Sequence, residues 1–441
     1  MRPFYLLLKI SLNISFRLFY KRFEIVNNPK SLFGRTIYVS NHPNSFMDPI
    51  MIGAMGRPIV HFMTRSDVFK WWLKPVLWAS HMLPIYRQHD GEDTKAKNTD
   101  VFNKVNRSLA LGRNILIFGE GFTDDTPIRG LKPVKKGAIR MGFGALEACH
   151  WNKKIYVCAM GINYTDRNTI YSEFVIQYNK RICLNDFKEI YSQNPVKVIN
   201  ELTKRLETEI QDCIIYVRDK AKYSLLENIM QLTRKGFNHA NHDATIPLKK
   251  RLDYSQKLAT WINEEVTEDR DDLTQLGKEM EAYFTLEKRM KIQDRFVYQA
   301  QNDEAISRTK ELLLLLTVWP LALLGWCHGL IPYLISKKVT EKIMRRKVFW
   351  GSVKMMLGKL IGSIYNIPIV MLLTHYLFPH WSLGIVYFLF VAPTLWRVAY
   401  TYQNWFLEYR LKGMMQQADL SKFVEKRKQL VEKIQALVPV A

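Results

Sequence analysis

Arg35-Thr36-Ile37-Tyr38-Val39-Ser40-Asn41-His42-Pro43-Asn44-Ser45-Phe46-Met47-Asp48-Pro49 is a β-prone run that breaks into a polar turn and then into a helix start. The β-branched and aromatic residues 36–39 suit a strand, and Pro43 suits a position near the first turn of a helix. His42 and Asp48 stand six positions apart, a step that in a regular helix points two side chains to different faces. A tight turn is therefore required to bring them together. If it does, the pair is a general base with its orienting carboxylate, because a neutral imidazole accepts a proton near pH 7 and a carboxylate fixes its tautomer. A capping aspartate beside an unrelated histidine would give the same spacing, so the rest of the chain has to decide.

Outward from this stretch, short apolar runs at 59–63, 115–118, 155–160 and 174–177 alternate with helical patterns such as 100–111. That alternation predicts an α/β domain. From about residue 196 the chain turns to charged, helix-forming sequence, with helices expected over 203–213, 255–266 and 272–288. The opening run carries Phe4, Leu6, Leu7, Ile10, Phe16 and Phe19 interrupted by Lys9 and Arg17, which reads as an amphipathic helix on a membrane surface and not as a signal peptide. The divisions drawn on this basis are 1–29 as that helix, 30–215 as the catalytic domain, 216–310 as a charged helical segment, 311–400 as a membrane region and 401–441 as a basic helical tail.

At 441 residues with a formal net charge of +23, the protein suits an anionic partner. Nucleic acid is excluded on pattern: the chain has no paired-cysteine zinc spacing and no aromatic RNA-binding signature, and it carries long apolar runs. Those runs, 312–335, 360–378 and 381–398, are of membrane length, and the loop after the first is rich in Lys and Arg, which assigns it to the cytoplasm. For the basic N-terminal region to share that side, 312–335 must be re-entrant, a hairpin broken at Pro320, Gly325 and Pro332. The other two runs, joined at Pro379-His380, then form a spanning hairpin. His328 and His375 read as interhelical hydrogen-bond partners. The five cysteines are scattered, without disulfide or metal spacing, and no metal or cofactor is expected.

Three further blocks give the His-Asp pair its context: Leu83-Pro84-Ile85-Tyr86-Arg87, then Phe118-Gly119-Glu120-Gly121-Phe122-Thr123, then Lys135-Lys136-Gly137. With Asn41-His42 and Asp48 they resemble, in order and spacing, the glycerolipid acyltransferase family over roughly residues 30–215. The His42 to Asp48 interval is one residue longer than in most of that family and is similar to its yeast-type glycerol-3-phosphate acyltransferase branch. Gly119 replaces the usual proline, Thr123 stands where Ser or Arg is common, and Ala159 replaces the proline of a fourth block. The resemblance implies a mixed sheet flanked by helices, with His42 as base, Asp48 as its partner, Arg87 on the acceptor's phosphate, and Glu120, Gly121 and Thr123 with the substrate.

Chemistry taken from the residues agrees. Moving an acyl group from a thioester to an alcohol needs a base and a grip on the acceptor. Arg87 has the planar fork for phosphate, and Lys135 or Lys136 could assist it. Glu120 could hold the acceptor's hydroxyl or Arg87, and Gly121 would let substrate approach the backbone. No Gly-x-Ser-x-Gly elbow occurs, so a serine acyl-enzyme is not indicated. The expected reaction is acyl transfer from acyl-CoA or acyl carrier protein to glycerol 3-phosphate, on a membrane and facing the cytoplasm. Acylation of 1-acylglycerol 3-phosphate (lysophosphatidic acid) to phosphatidic acid, and a non-catalytic membrane scaffold, stand as alternatives.

Overall fold

The structure, a computed structural model, describes residues 3–71, 73–86, 94–121, 123, 129–266 and 270–439. Contacts divide the chain into two units, residues 1–220 with 248–260, and residues 221–247 with 261–441.

The first unit is built on one seven-stranded mixed sheet. Its strands are β1 Arg22–Val26, β2 Thr36–Ser40, β3 Val60–Arg65, β4 Met82–Ile85, β5 Asn114–Phe118, β6 Tyr156–Tyr164 and β7 Glu173–Cys183, in the order β1-β7-β6-β2-β5-β3-β4. All neighbours are parallel except β6 and β7, which are antiparallel. The central strand β2 is buried along its whole length, as a strand covered on both faces must be, and that is why Ile37, Tyr38 and Val39 follow one another without polar alternation between the end residues Thr36 and Ser40. Helices α1 Pro3–Phe19, α2 Met47–Met55, α3 Lys74–Ala79, α4 Thr94–Ala110, α5 Gly137–Ala148, α6 Lys188–Gln193 and α7 Pro195–Gln211 flank it. In α7, Asn194 caps the first turn through its side chain, Pro195 occupies the first helical position, and Val198, Leu202, Leu206 and Ile210 bury one stripe in the core.

Two local readings change. The helix after the His42 turn begins at Met47, not at Pro43, so Pro43 lies in the turn and Asp48 in the helix's first turn. The stretch 1–29 is not all helix: α1 ends at Phe19, and β1 pairs with β7 from Arg22↔Glu173 to Val26↔Gln177. The inward side of α1 is mixed: Tyr5, Phe16 and Phe19 are buried, but polar residues share that side. Lys9 and Asn13 turn inward and donate to the carbonyls of Gly53, Gly56 and Ala54 at the end of α2, while Phe4, Leu6, Leu7 and Ile10 are exposed.

The second unit is helical: α8 Tyr223–Thr233, the end of α9 Leu248–Glu265, α10 Asp271–Met290, α11 Asp294–Gln301, α12 Thr309–Ile343, α13 Trp350–Tyr376, α14 Trp381–Val386, a π-helix Tyr387–Val391, α15 Ala392–Gln417 and α16 Ser421–Leu437. The expected hairpin at 312–335 does not form. α12 is one helix of 35 residues that carries Pro320 and Pro332 in its interior, with Gly325 and Gly329 pressed so closely on Leu395 and Trp396 of α15 that no side chain would fit. Small residues here serve close packing and do not break the helix. If α12 crosses a bilayer, the basic loop after it lies on the face opposite residue 308, and the charge rule that assigned that loop to the cytoplasm no longer carries the preceding residues with it. His328 does bridge helices, to Asn366 Oδ1 at 2.5 Å and Tyr387 Oη at 2.8 Å; for His375 the ring contact is with adjacent Tyr376.

Candidate active site

Parallel register assembles the site. Ser40 of β2 stands opposite Phe118 of β5 and Met160 of β6. Two residues beyond each come His42 and Glu120, just past the carboxyl ends of β2 and β5, and Ile162, near the carboxyl end of β6; that edge is where open α/β sheets place their ligands. The alignment is fixed by hydrogen bonds. His42 N–H donates to Glu120 Oε1 at 2.6 Å, Asn41 Nδ2 donates to Ile162 O at 3.0 Å, and Ile162 N–H donates to Asn41 Oδ1 at 2.8 Å.

The turn at 43–46 then folds back on itself, with Ser45 at φ +45°, and delivers Asp48 to the imidazole. His42 Nδ1 and Asp48 Oδ2 are 2.9 Å apart, with the Asp48 side chain fully buried and that of His42 17% exposed. Asp48 also accepts the Asn44 N–H on Oδ2 and the Tyr164 hydroxyl on Oδ1, both at 2.8 Å. With Asp48 accepting on both oxygens, His42 presents Nδ1–H to it, so Nε2 carries the free lone pair. The ring is stacked on Phe118, centroids 4.0 Å apart and 15° from parallel, which fixes the direction Nε2 faces. Burial, and then the charge of Asp48, push the Tyr164 hydroxyl well above the ordinary tyrosine range, so it stays a donor. On the outer side, Asn44 Nδ2 bonds Arg167 O at 2.8 Å and Arg167 bonds Pro43 O at 2.9 Å, tying the β6–β7 connection to the turn.

Glu120 is 8% exposed, and its second oxygen accepts the Lys132 N–H at 3.3 Å. Burial raises its carboxyl above the ordinary range, and the two backbone donors oppose that. Its bonds thus join the His42 turn to the 131–136 loop. Gly121 has φ +78°, and Lys135 crosses it so closely that a Cβ there would meet Nζ at 2.8 Å. Lys135 is otherwise exposed, Lys136 is an exposed residue at the N-cap of α5, and Thr123 is buried. Arg87 lies outside the described residues. The structure therefore brings together His42, Asp48, Glu120, Gly121 and Lys135. Tyr164 and the Asn44 amide escaped the sequence reading. Tyr164 is 116 residues from Asp48, and only strand order reveals their meeting.

No family model and no curated protein matches the chain. Among solved structures, the 1-acyl-sn-glycerophosphate (LPA) acyltransferase PlsC from Thermotoga maritima is similar over 47% of this chain and 79% of that chain, with 15% identity and a TM-score of 0.32. At so low a likeness the geometry around His42 carries the functional reading and the neighbour does not.

Proposed function

We propose that the protein is a membrane-bound acyltransferase that moves a fatty acyl group from acyl-CoA or acyl carrier protein to the hydroxyl of glycerol 3-phosphate. The observation that carries this reading is the His42–Asp48 pair, with Nε2 free, held at the carboxyl edge of the sheet beside Glu120 and Lys135. The acceptor hydroxyl gives its proton to His42 Nε2 as its oxygen bonds the thioester carbonyl carbon. Buried Asp48 stabilises the imidazolium that forms. Collapse of the tetrahedral adduct breaks the C–S bond, and the imidazolium returns its proton to the departing thiolate. Lys135, and by the family resemblance Arg87, would hold the acceptor's phosphate, with Lys136 and Thr123 at the margin of that site. The three long apolar helices support attachment to a membrane. Thioester donors of this kind place the catalytic domain on the cytoplasmic face.

The test supplies purified, detergent-solubilised protein with a palmitoyl thioester and either glycerol 3-phosphate or 1-acylglycerol 3-phosphate, beside His42→Ala. Lysophosphatidic acid from the first acceptor, lost in the variant, supports the proposal. Product from the second acceptor alone moves the assignment to phosphatidic acid synthesis. Fatty acid released without any acceptor would make the protein a hydrolase, and no turnover at all would leave the scaffold reading.

A further inference from the structure

Among the described residues three helical segments are long and apolar enough to cross a bilayer, Thr309–Ile343, Lys347–Tyr376 and Trp381–Gln417. Three complete crossings would leave the chain before the first and the chain after the last on opposite faces. The contacts forbid that. Near the end of α15, Lys412 donates to Ser307 O at 3.0 Å and to Glu311 at 2.8 Å, and Gln416 donates to Ile306 O at 2.6 Å. Beyond α15, Arg427 of α16 is buried against Asp294 of α11 at 2.9 Å. Residues 294–308 and 418–437 therefore share a face, and one of the three segments enters and leaves by it.

The register between α12 and α13 identifies which. Lys354 pairs with Glu341 at 2.8 Å, Ser336 Oγ and Pro332 Cβ lie 3.7 and 3.9 Å from where a Cβ would stand on Gly358 and Gly362, and Asn366 bonds the His328 carbonyl at 2.9 Å. Each contact advances about one helical turn on both helices, in opposite directions. Continued, this antiparallel register brings Tyr376 level with Val318, in the third turn of α12, so α13 runs back toward the face from which α12 starts. Trp381–Gln417 then starts on the face where it also ends. Within it, Tyr387 bonds His328 at 2.8 Å while Trp396 packs on the neighbouring Gly329. In a straight helix nine residues advance about 13 Å. Between the two lie the π-helix Tyr387–Val391 and Pro393, features at which helices bend.

We propose that Trp381–Gln417 is re-entrant: it enters the bilayer, bends at 387–393 at the depth of His328, and returns to the face it came from, so that only α12 and α13 cross. His328 and Asn366 supply polar partners at that depth. The test places single cysteines at the exposed positions Glu304, Arg345, His380 and Gln417 of the full chain, with Cys327→Ala. Sealed vesicles of both orientations are labelled with a membrane-impermeant maleimide and read peptide by peptide by mass spectrometry. Positions 304, 380 and 417 should label several-fold faster from one face and position 345 from the other. Labelling of 417 with 345 would mean three full crossings and would overturn the proposal. Labelling of 380 with 345, or of 345 with 304, would overturn it as well, because α13 or α12 would then not cross.

Discussion

Replacing Asp48 by asparagine separates two things the carboxylate does for His42. All three groups facing Asp48 donate hydrogen bonds: His42 Nδ1 and the Asn44 N–H at Oδ2, and the Tyr164 hydroxyl at Oδ1. An asparagine amide has one orientation that avoids opposing two donors. Its oxygen takes the place of Oδ2, and its NH₂ takes the place of Oδ1, where the Tyr164 hydroxyl can rotate to accept. The Nδ1–H tautomer of His42 is thereby kept, and what is lost is the negative charge. A carboxylate about 5 Å from the centre of an imidazolium, at an effective dielectric near 20, contributes roughly 3 kcal/mol. Since that attraction exists only once His42 has taken the proton, Asp48→Asn should lower kcat by about two orders of magnitude and leave KM within about threefold.

Asp48→Ala should fall at least about tenfold below Asp48→Asn, because it also frees the ring and leaves the Asn44 N–H and the Tyr164 hydroxyl without their acceptor, at about 1–3 kcal/mol each. The assay is initial-rate thiol release from the palmitoyl thioester in the presence of acceptor, with protein folding followed separately by thermal unfolding. Asp48→Asn turning over at near the wild-type rate would refute the role of the charge. Asp48→Asn as inactive as Asp48→Ala would refute the tautomer argument.

Tyr164→Phe removes one donor from the same carboxylate, and a drop of roughly tenfold in kcat with a loss of about 1–2 kcal/mol in stability is expected, with KM unchanged; a rate equal to wild type would show that the bond is idle. Glu287 is buried in the helical unit, and burial, with the nearby charge of Asp294, pushes its carboxyl up to about 8. The folded chain thus keeps a proton that the unfolded chain releases above pH 4.5, so this group's contribution is full below about pH 4.5 and is lost as pH rises to about 8, a change on the order of 5 kcal/mol. Glu287→Gln should flatten the fall in stability across that window in denaturant titrations at several pH values, and an unchanged slope would count against it. In the membrane helices, a Cβ on Gly325 would stand 2.0 Å from the Leu395 carbonyl, so Gly325→Val should force α15 from α12 and lower the thermal midpoint in detergent, while Gly358→Ala, with open contact distances to Ser336, should not.

What could be read from the sequence, and what could not, follows the range over which each interaction acts. The strands at 36–40, 114–118 and 156–164 were legible from the runs 36–39, 115–118 and 155–160, because strands covered on both faces read as near-continuous apolar stretches. β1 was not, since Arg22-Phe23-Glu24-Ile25-Val26 reads as the tail of the preceding helix until β7, some 150 residues on, provides its partner. In the site, His42, Asp48 and Glu120 stood out by type and spacing, whereas Tyr164 and Asn44 act through a hydroxyl and a backbone amide whose aim only the folded turn defines. The membrane region shows the same limit from the other side. Pro320, Gly325 and Pro332 were read by local propensity as breaks, yet Gly325 is required by the close approach of α15, and a proline costs a long helix little when neighbouring helices cover its freed carbonyls. Charge placement called for a segment that returns to its own face, but by putting the basic loop after α12 on the side of the N-terminal region; the return we propose instead leaves that loop on the opposite face. The position of that return, at 381–417, follows from contacts between residues more than a hundred apart, such as Lys412 with Glu311, and sequence periodicity holds no record of these.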